Sequence, residues 1–600
     1  MPELPFDDSR RLQGANLFFA STGAVLEAIG VATDDALTGA WRDRVQRAGA
    51  HLGWGRIQAV ARRHAGGASL AIAAPVDQLF LATEVNEWAL CTAVLERDPR
   101  RWSKLREAWV AEALRAAEGT PNPAAGSAPV IEEAAAFERF ARLSALEARP
   151  RLRALLDAAA LRRVPHVLDE ELLTLGAGCG GRDFPLQALP DAATLNWTGI
   201  NDIPTALVTG SNGKTTTVRL LATCARAEGL RAAYNCTDGV FSGDEMLAAG
   251  DYSGPAGARR VLREPRAQAA ILETARGGIL RRGIAVSQAH VALITNISSD
   301  HFGEYGIDDL EGLADVKLTV GAVVSPQGLL VLNAEDPLLR ARSGALAARF
   351  GRAVPLGWFA ASSDPHALSE YRDHGAPTCG VHTGRLLLTH RGAEHDLGSV
   401  AAMPLSMQGV ATYNIANLAG AALAAAALGV RPATIAAVFA GFGARLEDNP
   451  GRMMRFDREG ITVLVDYAHN PDGLHGFLRV ASHLRGGKGR LGLLLGHAGN
   501  RKDADVEELA RVAFGFHPDL IVVKENEKHL RGRAPGEIPH IIQAELRRQG
   551  FPEAAMPLAG GGEVGAARYA LDWARPGDVL ALPVHSAQAR ATVVAMLRKP

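Results

Sequence analysis

ALVTGSNGKTTTVRLL occupies residues 206–221. An apolar lead-in, Gly210 and Gly213 around two small polar residues, one lysine and three threonines read as a strand, a tight turn and the opening of a helix. Such a turn suits an anion. Its glycines let backbone N–H groups point inward, the helix adds its positive end, and Lys214 neutralises β and γ phosphate oxygens. The spacing departs from the Walker pattern G-x-x-x-x-G-K-[ST], because position 208 is valine and the two glycines stand closer together. Gly210, Ser211, Asn212, Gly213, Lys214, Thr215 and Thr216 are therefore the candidate nucleotide-binding residues, with the Thr215 hydroxyl offered to Mg²⁺. Taken alone, the loop also reads as a glycine-rich turn with an exposed lysine.

With 600 residues and 47% hydrophobic content, the chain has the material for several cores, about three or four at the usual domain size. Lysine plus arginine (64) nearly balances aspartate plus glutamate (65). No basic arm appears, so no nucleic acid partner is expected. The five cysteines, Cys91, Cys179, Cys224, Cys236 and Cys379, form no C-x-x-C pair, which fits a reducing compartment. The opening MPELPFDDSRRLQG lacks the apolar core of a secretory signal. The uncharged run from Leu397 to Val430 is interrupted by Pro404, Gln408, Asn414 and Asn417, too weakly apolar for a span. The expectation is a cytoplasmic protein with no membrane partner.

After residue 204, short buried-strand runs alternate with helical segments: AAILETA, VALITNI, GLLVLNAED, then TVLVDYAH, LGLLLGH, LIVVKEN and DVLALPVH. This alternation predicts α/β architecture with parallel sheets whose ligands gather at the carboxyl ends of the strands. Residues 360–408 loosen into short Gly- and Thr-bearing strands, read as a hairpin accessory to the central sheet. Ahead of them, a strand is expected at 69–74 and a helix with Phe137, Phe140 and Leu143 on one face. GTPNPAAGSAP (119–129) reads as a linker. The expected division is an α+β N-terminal docking or accessory domain (1–190), a central P-loop parallel-sheet domain (191–447) and a Rossmann-like C-terminal domain (448–600). Gly176, Gly178 and Gly181 satisfy G-x-G-x-x-G, but two prolines follow before any helix, which argues against a dinucleotide site.

The polar groups at strand ends supply the chemistry. Glu273 ends one buried run and places a carboxylate where Mg²⁺ needs an oxygen. TNISSDHFGEYG brings Asn296, Asp300 and His301 into one loop, and Lys317 follows on a helix. In order, GSNGKTTT, Glu273, NISSDH, Lys317, NAEDP, YNIANLAGAAL, PGR and VDYAHNPDGL resemble the Mur ligase family of ATP-dependent amide-forming enzymes. ETARGGILRRG, NPGRMMRF, GNRKDADVEEL and RGRAPGE are most similar to the Mur-like module of the cyanophycin synthetases, without the ATP-grasp domain that precedes it there. The resemblance covers residues 203–586.

It implies ATP bound through Lys214 and Thr215, one Mg²⁺ on Thr215 and Glu273, and a second near His301 and Lys317. Lys317 matches a lysine that reacts with CO₂ to form a carbamate, which requires a neutral amine. Lys214, His301 and Lys317 are then the catalytic set. Asn417 is implied at the adenine, Arg452 at the phosphates, and Asp466 with His469 in a nucleotide loop. Tyr413 stands where many relatives carry histidine. A carboxylate and an amine form a salt unless the acid is activated, so an acyl phosphate is the implied intermediate.

Amino acid or peptide-like substrates are expected. The loop KENEKHLRGRAPGE offers Glu525, Arg531 and Arg533 to a zwitterion, with Asn470 near by. A solvated charged loop is the plain alternative for that segment. For the whole chain, a nucleotide-binding scaffold that does not ligate and a small-molecule kinase remain the competing functions.

Overall fold

The computed structural model describes residues 4–107, 132–299, 302–362, 366–487, 489–499, 501–525 and 530–598. The expected linker at 119–129 lies outside them.

The first layer is a four-stranded antiparallel sheet in the order Phe6–Leu12, Gly23–Ala28, Gly67–Ala73, Ala59–His64. The strand expected at 69–74 is thus Gly67–Ala73. Helices Asp35–His51, Leu79–Arg97 and Glu133–Glu147 cover one face, their apolar stripes meeting at Trp41, Trp88 and Phe140. Trp41 Nε1 donates to Asn86 Oδ1 at 2.8 Å, so the one polar atom of that indole is satisfied in the core. Beneath this sheet lies a buried ionic cluster. Arg10 Nη2 donates to Glu27 Oε1 at 2.6 Å, and the Ser69 hydroxyl donates to Glu27 Oε2 at 2.7 Å.

A small sheet, His166–Leu168, Leu172–Leu175 and Arg182–Pro185, joins this layer to the centre. Its glycine run has a packing role. A Cβ on Gly178 would collide with the Ala267 carbonyl and one on Gly180 with Asn201. Cys179 N instead donates to Ala267 O at 2.8 Å, backbone against backbone.

Seven parallel strands form the heart of the eleven-stranded central sheet: Ala232–Cys236, Ala269–Glu273, Thr205–Thr209, Ala289–Ile294, Val324–Asn333, Leu356–Phe359 and Thr378–His382. Antiparallel strands close both edges, Gly239–Ser242 and Glu245–Ala249 on one side, Arg385–His390 and Ala393–Ser399 on the other. The expected accessory hairpin of 360–408 is this second edge. Lys214–Ala227 and Thr412–Ala427 pack on one face, and Pro255–Leu262 with Leu310–Leu318 on the other. Alanine dominates Thr412–Ala427 because the helix lies flush on the sheet, with Gly420 against Phe359. Among the described residues no helix is long and apolar enough to cross a membrane.

The last sheet runs Met454–Arg458, Ile461–Asp466, Val579–Pro583, Leu491–Leu495, Leu520–Val523, parallel except for its first strand. Its strand ends face those of the central sheet across a cleft.

Burial alone would raise the Glu27 carboxyl, but the His64 ring, the Arg10 guanidinium and the Ser69 hydroxyl outweigh it and hold the pKa at about 2. A depressed folded-state value stabilises above the unfolded pKa and is lost as pH falls through the folded one. Glu27→Gln is therefore expected to cost on the order of 3 kcal/mol at pH 7. Urea titrations should find that difference shrinking from about pH 4.5 downwards and nearly gone by about pH 2.

Candidate active site

The Thr205–Thr209 strand delivers the chain into Gly210, at φ 144°, and Gly213, at φ 84°, caps the Lys214–Ala227 helix. Both are obligatory glycines for a second reason: a Cβ on Gly210 would strike Thr295 Oγ1, and one on Gly213 would strike Asn417 Oδ1. The neighbouring strand end grips the loop. Asn212 N donates to Asn296 Oδ1 at 3.0 Å, Thr295 Oγ1 donates to Asn212 O at 2.5 Å, and Ser211 Oγ donates to Ser298 O at 2.8 Å. Asn296 thus shapes the turn. Lys214 Nζ folds over it, donating to the carbonyls of Gly210 and Ser211 at 2.9 Å each.

Glu273, 1% exposed, ends the adjacent strand. Thr215 Oγ1 donates to its Oε2 at 2.8 Å, while its buried Oε1 has no hydrogen-bond partner. Burial raises its pKa, opposed by the Lys214 charge and the Thr215 hydroxyl. A hard cation would complete this pair. One carboxylate and one hydroxyl suit Mg²⁺, which draws its remaining oxygens from phosphates and water.

From the C-terminal side, Arg452 reaches over the loop, its Nη2 3.1 Å from Thr237 Oγ1 and its guanidinium 4.3 Å from the centre of the Tyr467 ring. Asp466 accepts from Met453 N at 2.6 Å and Ala468 N at 2.7 Å. Its carboxyl is raised by burial against the pull of Arg452 and these amides. Asn417 lies under Gly213 and donates to Asn414 Oδ1 at 3.2 Å. Thr216 accepts from Asn449 Nδ2 at 3.2 Å. Tyr413 lines the same space with a buried hydroxyl that has no partner.

One cavity of about 1010 Å³ is lined by the whole loop from Gly210 to Thr216 and by Glu273, Lys317, Asn417, Arg452, Asp466 and His469. Lys317, 2% exposed, enters from the Leu310–Leu318 helix. Asp300 and His301 lie outside the described residues.

The expected substrate residues divide. Arg531 lines the cavity. Arg533 braces its own loop instead, donating to Gly499 O at 2.9 Å, Arg501 O at 2.6 Å and Asp503 at 2.6 Å. Glu525 accepts from Gly536 N at 2.6 Å at the start of the Glu537–Arg548 helix. Asn470 caps the Pro471–Arg485 helix and donates to Asn212 Oδ1 at 3.0 Å. Asn212 in turn donates to Asp472 at 2.9 Å, so these contacts latch the C-terminal domain onto the phosphate loop.

Sequence reasoning passed over His497 and His585, which also line the cavity. Each lies two residues beyond a buried strand, close to the strand-tip position that had marked Glu273. His585 Nε2 lies 2.9 Å from Ala468 O, with its ring edge-on to Tyr467. Behind it Lys524, 1% exposed, donates to Glu563 at 2.6 Å. Burial and the Lys524 charge hold His585 down at about 3, so the ring is neutral.

The Mur ligase middle domain matches residues 208–425, and the Mur ligase, glutamate ligase domain matches residues 451–582. The UDP-N-acetylmuramoyl-L-alanyl-D-glutamate--2,6-diaminopimelate ligase of Alkalilimnicola ehrlichii is 30% identical over 382 residues, 62% of this chain and 69% of that protein. The chain belongs to the Mur ligase family. Within that family it is also similar to the cyanophycin synthetase of Geminocystis herdmanii, 36% identical over 341 residues. That match covers 57% of this chain, which spans only 38% of the synthetase. Among solved structures, Mycobacterium tuberculosis folylpolyglutamate synthase complexed with ADP aligns with a TM-score of 0.47 and 17% identity, covering 66% of this chain and 91% of that one.

Glu273→Gln separates the stability of this site from its affinity for a metal ion. Removing a buried charge with a bare oxygen should leave metal-free stability unchanged or raise it by about 1 kcal/mol. Magnesium should cease to strengthen ADP binding, as read by calorimetric titration with and without the ion.

Proposed function

We propose that this chain is an ATP-dependent ligase that joins a carboxylate to the amine of an amino acid or peptide-like substrate through an acyl phosphate, releasing ADP and phosphate. The observation that carries the reading is the single cavity faced by Lys214, Thr215, Glu273, Lys317 and Arg452 at the meeting of two sets of strand ends. The units 1–190, 191–447 and 448–600 then serve as accessory domain, nucleotide platform and closing domain.

The phosphate loop presents its amides and Lys214 to the β and γ oxygens of ATP. Mg²⁺, when bound, supplies positive charge that offsets the repulsion between those oxygens and an incoming carboxylate. Thr215 and Glu273 would hold it, since their paired oxygens include one with no other partner. A second ion and a carbamate on Lys317 extend this reading, supported by the burial of Lys317 in the cavity wall. Arg452 adds a cation from the opposite domain, aligning the terminal phosphate with the acid oxygen that attacks it.

Closure protects the product of that step. The Asn212, Asn470 and Asp472 contacts hold the C-terminal domain over the loop, and water kept out cannot hydrolyse the acyl phosphate. Asn417 and the Asp466 to His469 loop flank the nucleotide. The amine enters from the C-terminal side, where His497, Arg501 and Arg531 line the cavity. Their polar side chains suit the carboxylate of an amino acid, leaving its amine directed at the acyl carbon.

Screening carboxylate and amine pairs for phosphate release, with mass spectrometry of the products, tests the proposal. ADP and phosphate should accumulate only when both partners are present, and the product should be an amide rather than a stable phosphorylated acid. Lys214→Ala should lower turnover by about a thousandfold or more, as expected for loss of a charge that stabilises the transferring phosphoryl group. ATP binding without turnover across the panel would favour a scaffold.

A further inference from the structure

The cavity wall between Glu273 and Lys317 is built from two segments that touch the N-terminal sheet. The Arg276–Arg282 helix follows Glu273, and the 302–308 loop precedes the Leu310–Leu318 helix that carries Lys317. Arg276 and Glu304 face the cavity and pair across it at 2.6 Å, one from each segment.

The loop is held in an uncomfortable shape. Gly303, Tyr305 and Gly306 all adopt positive φ, at 90°, 54° and 65°, and tyrosine takes that conformation only at a cost. The N-terminal sheet supplies the compensation. Arg62 Nη1 donates to Gly306 O at 2.5 Å, Ala65 N donates to Asp308 Oδ2 at 3.1 Å, and the His64 ring fills the space where a Cβ of Gly306 would stand. The Arg10 guanidinium lies 4.5 Å from the centre of the Tyr305 ring.

Arg10 also grips the other segment. Its Nε donates to Leu280 O at 3.0 Å, beside the backbone bonds Gln13 N to Arg282 O at 2.7 Å and Ile284 N to Ala15 O at 2.8 Å. Its Nη2 donates to Glu27 at 2.6 Å and its Nη1 to Asp8 at 2.8 Å. Desolvation takes back part of a buried ion pair's attraction, so stability alone is a weak reason to build one. Its planar fork is good at fixing direction.

We propose that the N-terminal domain acts as a brace for the reaction cavity, with Arg10 as the positioning residue that ties the Arg276–Arg282 helix to the 302–308 loop. In this role Glu27 orients Arg10, Arg62 seats the loop, and the geometry is handed to Arg276, Glu304 and the helix of Lys317. The turnover part of the test rests on the ligase reading; the structural part does not.

The experiment is hydrogen exchange on the full chain, wild type against Arg10→Met, with Arg47→Met as the control because its exposed pair with Glu133 touches neither segment. In Arg10→Met, exchange in 276–284 and in 302–318 should accelerate together by about tenfold, the loss of one charge-assisted hydrogen bond. The 210–216 loop and the affinity for ADP should not change. With a ligated substrate pair, kcat should fall about ten- to a hundredfold, the scale of a small misplacement, while KM for ATP holds. Arg10→Lys should recover little, since it keeps the charge and loses the fork.

Exchange that rises only within the N-terminal sheet, with both wall segments at wild-type rates, overturns the brace. If Arg10→Met does not fold, Arg62→Met takes its place, with 302–308 expected to open and its protection at wild-type level counting against the proposal. Wild-type protein that releases no phosphate with any pair would defeat the ligase reading while leaving the exchange result to decide this one.

Discussion

A carboxylate buried with one oxygen held and the other bare is a costly thing to build, several kcal/mol if nothing answers its charge. Glu273 is in that position, and much of the surrounding architecture can be read as the answer. Lys214 and Arg452 bring positive charge from the two domains that meet there. Arg452 stays within reach because the chain around it is pinned: Arg219 donates to Asn449 at 3.1 Å and to Pro450 O at 2.9 Å, and both Arg219 and Arg590 bind Asp238 at 2.7 Å. Burial would raise the Asp238 carboxyl, yet Arg452, Arg219 and Arg590 together hold it below its ordinary value. The buried Glu273 carboxylate and the seating of the C-terminal domain are therefore one electrostatic problem.

The phosphate loop shows how the same contacts serve position and chemistry. Asn212 appears in the sequence as one more small residue in a glycine-rich turn. In the structure its backbone is fixed by Thr295 and Asn296 and its side chain by Asn470 and Asp472. The residue that shapes the loop is thus also the one the C-terminal domain grips, so the turn and its cover share a hinge pin.

Much of this was legible in the chain because strand tips are where a parallel sheet concentrates its polar groups. A buried run ending in a polar residue located Glu273, the family resemblance supplied Asp466, and the strand-tip rule, applied evenly, finds His497 and His585. The charged loop after Val523 was less readable. Charge pattern alone does not separate Arg531, which faces the cavity, from Arg533, whose donors are spent on Gly499, Arg501 and Asp503. Asn470 sits near the site, but its amide belongs to a helix cap and a domain contact, pairings set by tertiary structure. The N-terminal sheet was legible as strands and helices but not in its reach. Arg10 and Leu280 stand 270 positions apart, and no local pattern links them.

The width of the central sheet has its own consequence. Eleven strands leave two outer rows of open peptide groups, and such rows invite a strand from another molecule. Here the outermost strands are short hairpin arms. One begins at Glu245, which binds Arg266 at 2.9 Å, and the other carries Glu394 and Asp396, with Asp396 tied to Arg385 at 2.5 Å. A foreign strand would have to displace those ion pairs and desolvate their charges. The sheet can be broad enough to carry the cleft at its middle without its margins becoming adhesive.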